Sequence, residues 1–183
     1  QELNSYYERL LQDDECDVPV EHWSTEKVAW EIMLAEDGRV AGFLPLEVGE
    51  GKGARRFVSM QVPEHTTRTS AVKPFFLCDS AAYLLGLASS RGEESRQASR
   101  ELHEAVLAGC EDAAAKAVCA FFGRSDALDG VSDEQKEALA AGGLMVFGFK
   151  DDRKRAHEHA AIKNAWTRYC NAQNADTLFG QCA

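Results

Sequence analysis

Residues 63–87, PEHTTRTSAVKPFFLCDSAAYLLGL, decide how this chain is organised. They fall into three parts: a polar, basic loop over residues 64–73, a short apolar run over residues 75–77, and a short predicted helix, SAAYLLG. Pro74 has no amide donor, and its ring pushes Lys73 out of the helical region. Asp79 has the side chain to accept from the first free N–H groups of the helix. Gly86 suits the left-handed position just past its end. A cationic loop on a pinned apolar anchor suits contact with a polyanion.

Upstream, Leu3, Tyr6, Tyr7, Leu10 and Leu11 recur at helical spacing, and an acidic loop over residues 13–20 follows. From Lys27 the period changes to two. Val28, Trp30, Ile32 and Leu34 alternate with Lys27, Ala29, Glu31 and Met33, the pattern of a half-buried strand. Asp37-Gly38 predicts a two-residue type I′ hairpin turn, with the returning strand over residues 39–46. A glycine-rich loop leads to a third strand over residues 55–62, with Val58, Met60 and Val62 on one face.

Downstream the chain turns helical. A helix is predicted over residues 93–108, a second from an Asp112 N-cap to Gly123, and a third behind Ser132 and Gln135 at capping-box spacing. A short apolar strand over residues 144–149 and a last helix over residues 160–171 complete the reading. Strands followed by helices indicate an α+β fold: a small antiparallel sheet with a hairpin near the N-terminus, then a mostly helical lobe. One domain is expected, sheet-rich over residues 1–92 and helix-rich over residues 93–183.

The net charge of −10 argues against a protein that coats nucleic acid over its whole surface. The charge is uneven, however. Residues 52–73 hold Lys52, Arg55, Arg56, Arg68 and Lys73 against Glu64 alone, which suggests one defined anionic contact on an acidic body. No apolar run is long enough for a membrane span, and the start has no signal-peptide pattern. The six cysteines form no Cys-x-x-Cys pair and are read as reduced cytosolic thiols.

No enzyme is legible. Gly49-x-Gly51-x-Gly53 lacks the Lys and following helix of a phosphate loop. Cys78, with Asp79 and His65 nearby, lies in an apolar run, where cysteine is usually inert. His157 and His159, or His103 with Glu104, lack further ligands at useful spacing and read as surface histidines. No metal and no cofactor is expected. Trp23, Trp30, Phe76 and Trp166 read as core. Phe75 adjoins the basic loop and is kept as a platform for a base or ribose.

The segment RTSAVKPFFLCDSAAYLLGL resembles RTSGIKPNFLCDNAAYVLGL of one CRISPR family, the large subunit (Cas-eight type, Csd family) of the type I-C Cascade surveillance complex. The pieces YYERLLQDD, STEKVAWEIMLAEDGRV, RELHEAVLAG, AAAKAVCAFF, GGLMVFGF, AIKNAWTRY and GQC are similar to that family in the same order. The family continues past GQC, so the chain looks like its N-terminal domain. The resemblance implies a cytoplasmic, non-catalytic subunit in antiviral defence that checks the PAM of double-stranded target DNA and helps open it. Guide RNA pairing reads the rest. The implied partners are that DNA, the guide RNA, the Cas-five and Cas-seven type subunits, and a helicase-nuclease recruited later; no membrane is implied. On this reading Lys52, Arg55, Arg56, Arg68 and Lys73 meet phosphates, and Thr69 and Ser70 donate to phosphate or base edges. The alternative is a structural module that binds the guide's 5′ end or the Cas-five type subunit without reading DNA. Two departures stand out: Phe75 and Ser80 replace two amides of the family segment, and Ala71-Val72 replaces Gly-Ile.

Overall fold

A computed structural model of the chain describes residues 20–47, 49, 51–53 and 56–181. The helix expected from Leu3, most of the acidic loop behind it, and Arg55 lie outside the described residues. The described elements are, in order, β1 (Trp23–Leu34), β2 (Val40–Pro45), β3 (Val58–Pro63), β4 (Cys78–Asp79), α1 (Ala81–Leu85), α2 (Gly92–Val106), α3 (Ala113–Gly123), α4 (Asp133–Ala140), β5 (Leu144–Phe149) and α5 (Ala160–Gln181). The α+β class expected from the order of patterns is the class observed.

The sheet differs from expectation in one respect. It is mixed, ordered β2-β1-β5-β4, with β3 also paired to β1. The β1–β5 pair is parallel, and the other pairs are antiparallel. The sheet therefore does not end with the early strands, because β5 enters beside β1 from the helical half. Its sequence LMVFGF is buried from Met145 onward, as an inner parallel strand requires. Val28 pairs with both Leu144 and Val58, so β3 lies on the edge of β1 opposite β5, end to end with β2.

Strict alternation along β1 also fails at one point. Val28 pairs with Leu144 but Trp30 pairs with Met145, so Ala29 is an extra residue. A bulge of this kind flips the side chains that follow it. Val28 accordingly joins Val62, Cys78 and Val146 on one face. Ile32 and Leu34 join Met145 and Phe147 on the other, under the helices, with Phe121, Phe122 and Trp166.

The hairpin turn is three residues, not two. The Gly38 N–H donates to the Ala35 carbonyl, and the Ala35 N–H donates to that of Arg39. Only Gly38 has positive φ, +80°, so this is a turn closed by a left-handed glycine rather than type I′. A Cβ at Gly38 would meet the backbone of Ala120 and Phe121, so the hairpin tip sits directly on α3.

The helix ends follow the sequence closely. The Asp112 side chain accepts from the N–H groups of Ala114 and Ala115, and Ser132 accepts from that of Gln135. Gly86 ends α1 at φ +71°. The last helix runs on to Gln181 instead of stopping at Asn171, and residues 171–177 are all exposed. No proline or glycine interrupts the chain there before Gly180.

Candidate nucleic-acid interface

Residues 64–77 connect the two edges of the sheet. β3 ends beside Trp23 on the outer edge of β1, and β4 lies on the far side of β5. The crossing segment is held by one buried carboxylate. Asp79 is fully buried, and its two oxygens accept from Arg68 Nη2 at 3.0 and 2.8 Å. It also accepts from the N–H of Phe75 at 2.9 Å and of Ser80 at 2.7 Å. Asp79 is thus not the helix cap expected of it; Ser80 holds that position, without a side-chain bond. The inward pull of Arg68 explains the change, because a buried charge must be paired.

Arg68 closes the loop in three ways. Its Nε donates to the Lys73 carbonyl at 3.0 Å. Its guanidinium carbon lies 4.0 Å from the Phe75 ring centre and 3.9 Å from that of Tyr83. The third tie is the pair with Asp79. A planar, delocalised cation satisfies all three contacts, and a lysine would not. The Tyr83 hydroxyl accepts from the Lys73 N–H at 3.1 Å, so Lys73 is fixed through its backbone while its ammonium faces solvent.

Two histidines brace the segment from below. His65 stacks on Phe75 with ring centres 4.2 Å apart, and its Nε2 donates to the Cys78 carbonyl at 2.7 Å. The ring therefore meets the backbone of Cys78 and is no base for its thiol. Burial, then the charges of Asp79 and Glu26, push that thiol well above the ordinary cysteine range. His103 is fully buried, correcting the surface reading. Its Nδ1 donates to the Ser99 carbonyl at 2.6 Å, and its Nε2 accepts the Leu77 N–H at 2.9 Å. Leu77 has φ +58°, an uncommon conformation for a leucine, and this bond helps to hold it. Burial lowers the His103 pKa to about 4, so the ring is neutral at pH 7 and this tautomer is the one its partners require. His157 is also buried rather than on the surface. Burial raises the Asp79 pKa, against the opposing pull of Arg68 and the Phe75 and Ser80 N–H groups.

The basic residues expected to act together fall into two groups. Lys52 and Arg56 are exposed on the connection between β2 and β3, at the outer edge of β1. Thr69, Ser70 and Lys73 are exposed on the crossing loop toward the opposite edge. Arg68 belongs to that loop, but its Nη2 is held by Asp79 and its Nε by the Lys73 carbonyl. Phe75 is 8% exposed, stacked with His65 and Arg68 rather than open to a base. Arg55 lies outside the described residues.

One residue joins the loop that the sequence did not single out. Arg91, just before α2, donates from Nη1 to the Ser70 carbonyl at 3.1 Å and pairs with Glu94 at 3.1 Å. It is half exposed, but Glu94 takes its Nε and Nη2, so it reaches solvent beside Lys73 as an ion pair rather than a free cation. No local pattern marks it, since the contact spans 21 residues of sequence.

Among the described residues, no cluster of metal-binding side chains occurs. The loop offers the exposed ammonium of Lys73, four exposed hydroxyls at Thr66, Thr67, Thr69 and Ser70, and a rigid base. Residues 3–183 match the family model described as CRISPR-associated protein (Cas_Csd1). No curated protein matches the chain.

Proposed function

The chain belongs to the CRISPR-associated Cas_Csd1 family, and from that premise we propose that it is a non-catalytic recognition module of a type I-C Cascade complex. In this reading the loop over residues 66–73 touches the PAM-bearing duplex. Lys73 meets a phosphate, as does Arg91 once it exchanges Glu94 for one, and Thr69 and Ser70 donate to phosphate or base edges. Arg68, Asp79, Phe75 and Tyr83 hold the loop in shape without touching the nucleic acid. The guide RNA reads the remaining sequence, and the Cas-five and Cas-seven type subunits and the helicase-nuclease are the protein partners. A cytoplasmic setting follows from that role.

The observation that carries this reading, within the family, is the clamped loop. Its backbone is fixed at Ser70, Lys73 and Phe75 while the hydroxyls and ammonium beside those points face solvent. A fixed backbone lowers the entropy lost when the loop meets its ligand. The second reading, contact with guide RNA or a neighbouring subunit, draws on Lys52 and Arg56, which sit on the other edge of the sheet.

The test uses the reconstituted complex with Lys73→Glu and, separately, Lys52→Glu/Arg56→Glu. Binding of a PAM-containing duplex is measured across a salt series. Lys73→Glu should lower the salt slope by about one unit and weaken all sequences alike, as loss of one phosphate contact does. An unchanged slope with Lys73→Glu, alongside loss of assembly with the other variant, would transfer the function to the second reading.

A further inference from the structure

Beneath the crossing loop lies a groove of about 620 Å³ that the nucleic-acid reading leaves unused. Its floor is apolar. Leu102 and Ala105 from α2 face Trp166 and Tyr169 from α5, whose rings stack 5.9 Å apart. Its acids are Glu64 and Glu101, both exposed; the cationic side is Lys73, at the loop end, with His22 as a further titratable neighbour. Beyond Tyr169 the helix continues with every residue exposed over 171–177, and Gln173 and Asn174 line the groove.

The two carboxylates select among occupants. A nucleic-acid strand would bring phosphates against Glu64 and Glu101 with Lys73 alone to offset them. The negative field reaches the groove wall: the Cys170 thiol is pushed up to about 11, first by burial and then by the charge of Glu64. An apolar floor with an acidic rim matches a polypeptide segment that carries a large apolar side chain beside lysine or arginine. An aromatic or leucine anchor would cover the Trp166–Tyr169 stack, and its basic neighbours would reach Glu64 and Glu101.

We propose that the groove between α2, α5 and the crossing loop docks a basic, apolar-anchored polypeptide segment of a partner subunit in the complex. This rests on the family reading, but not on the loop touching DNA. The groove and the loop share a wall through Lys73, Pro74 and Phe75, so a seated segment would also brace the loop from beneath.

The experiment is assembly of the complex with Glu101→Lys or Ala105→Arg, two exposed positions whose change leaves the core intact. Glu93→Lys, exposed at the start of α2 and outside the groove, is the matched charge control. Circular dichroism verifies folding. Both groove variants should weaken incorporation at least tenfold while the control incorporates normally. Alkylation of Cys170, read by mass spectrometry, should slow at least tenfold on assembly of the native protein. Normal incorporation of Glu101→Lys overturns the proposal. So does groove-dependent self-association of the free chain, which would make the occupant a second copy, or cross-linking from Gln173 to nucleic acid rather than protein. The same salt series with Thr69→Glu, on the loop but outside the groove lining, reads the loop independently, so either result can fail without the other.

Discussion

Removing Asp79 should destabilise the protein far more than removing any exposed carboxylate. Asp79→Ala would leave Arg68 Nη2 without its carboxylate and strand the N–H groups of Phe75 and Ser80. A buried unsatisfied N–H costs about 1–3 kcal/mol, and an uncompensated buried charge about 3–5 kcal/mol. Arg68 is 27% exposed and would partly regain water, so the lower ends apply: about 1 kcal/mol for each of the two N–H groups and about 3 for the charge, about 5 kcal/mol in all. Arg68→Ala also leaves a buried carboxylate, but one that protonation can neutralise, and should cost about 2–3 kcal/mol. The double variant should cost about 2 kcal/mol less than the sum of the single ones, because neither change then strands a charge. Urea unfolding followed by tryptophan fluorescence, with circular dichroism in parallel, gives all three values. Additivity to within about 0.5 kcal/mol would refute the reasoning, since it would mean that the two side chains do not meet in solution.

Three other outcomes follow from the same geometry. The His103 pKa is lowered from 6.5 to about 4, so the unfolded chain takes up a proton first as pH falls; stability is full above 6.5 and drains by about 3 kcal/mol down to pH 4. His103→Phe should be less stable at pH 7, with the Leu77 N–H unpaired, yet show a flatter urea midpoint across that window. Gly38→Ala should cost about 2 kcal/mol or more, from positive φ and from the Cβ pressed on α3, and thermal melting reads it directly. Arg96 donates to the carbonyls of Leu84, Phe121 and Arg124, closing the ends of α1 and α3. Arg96→Ala should therefore cost about 2 kcal/mol, and Arg96→Lys should restore little of it, as measured by urea midpoint.

Local features of the fold were legible in the sequence. The hairpin at Gly38, the caps at Asp112 and Ser132 and the stop at Gly86 each depend on a few neighbouring residues, and each is where the pattern puts it. The misses are non-local. Nothing within LMVFGF says that it lies parallel to β1, because the partner strand is more than a hundred residues away. The bulge at Ala29 leaves the alternating pattern intact while reversing its faces. Within the candidate site, the loop was visible from its composition, but the role of Arg68 was not. A count of charges treats an arginine paired with a buried aspartate like one that faces water. Asp79 looked like a cap because N-caps and buried ion-pair partners use the same side chain. His103 carried a usable signal: with Ser99 and Val106 it falls at helical spacing on the buried face of α2, where a histidine must find partners of its own.

The central claim, that the loop over residues 66–73 faces nucleic acid on a duplex target, is tested most directly by a photo-cross-linker. It would be placed at Ser70 in the reconstituted complex carrying guide RNA and a PAM-containing duplex. Cross-links are expected to the DNA close to the PAM, lost when the PAM is mutated. Cross-links only to guide RNA or to a neighbouring subunit, indifferent to the PAM, would contradict it.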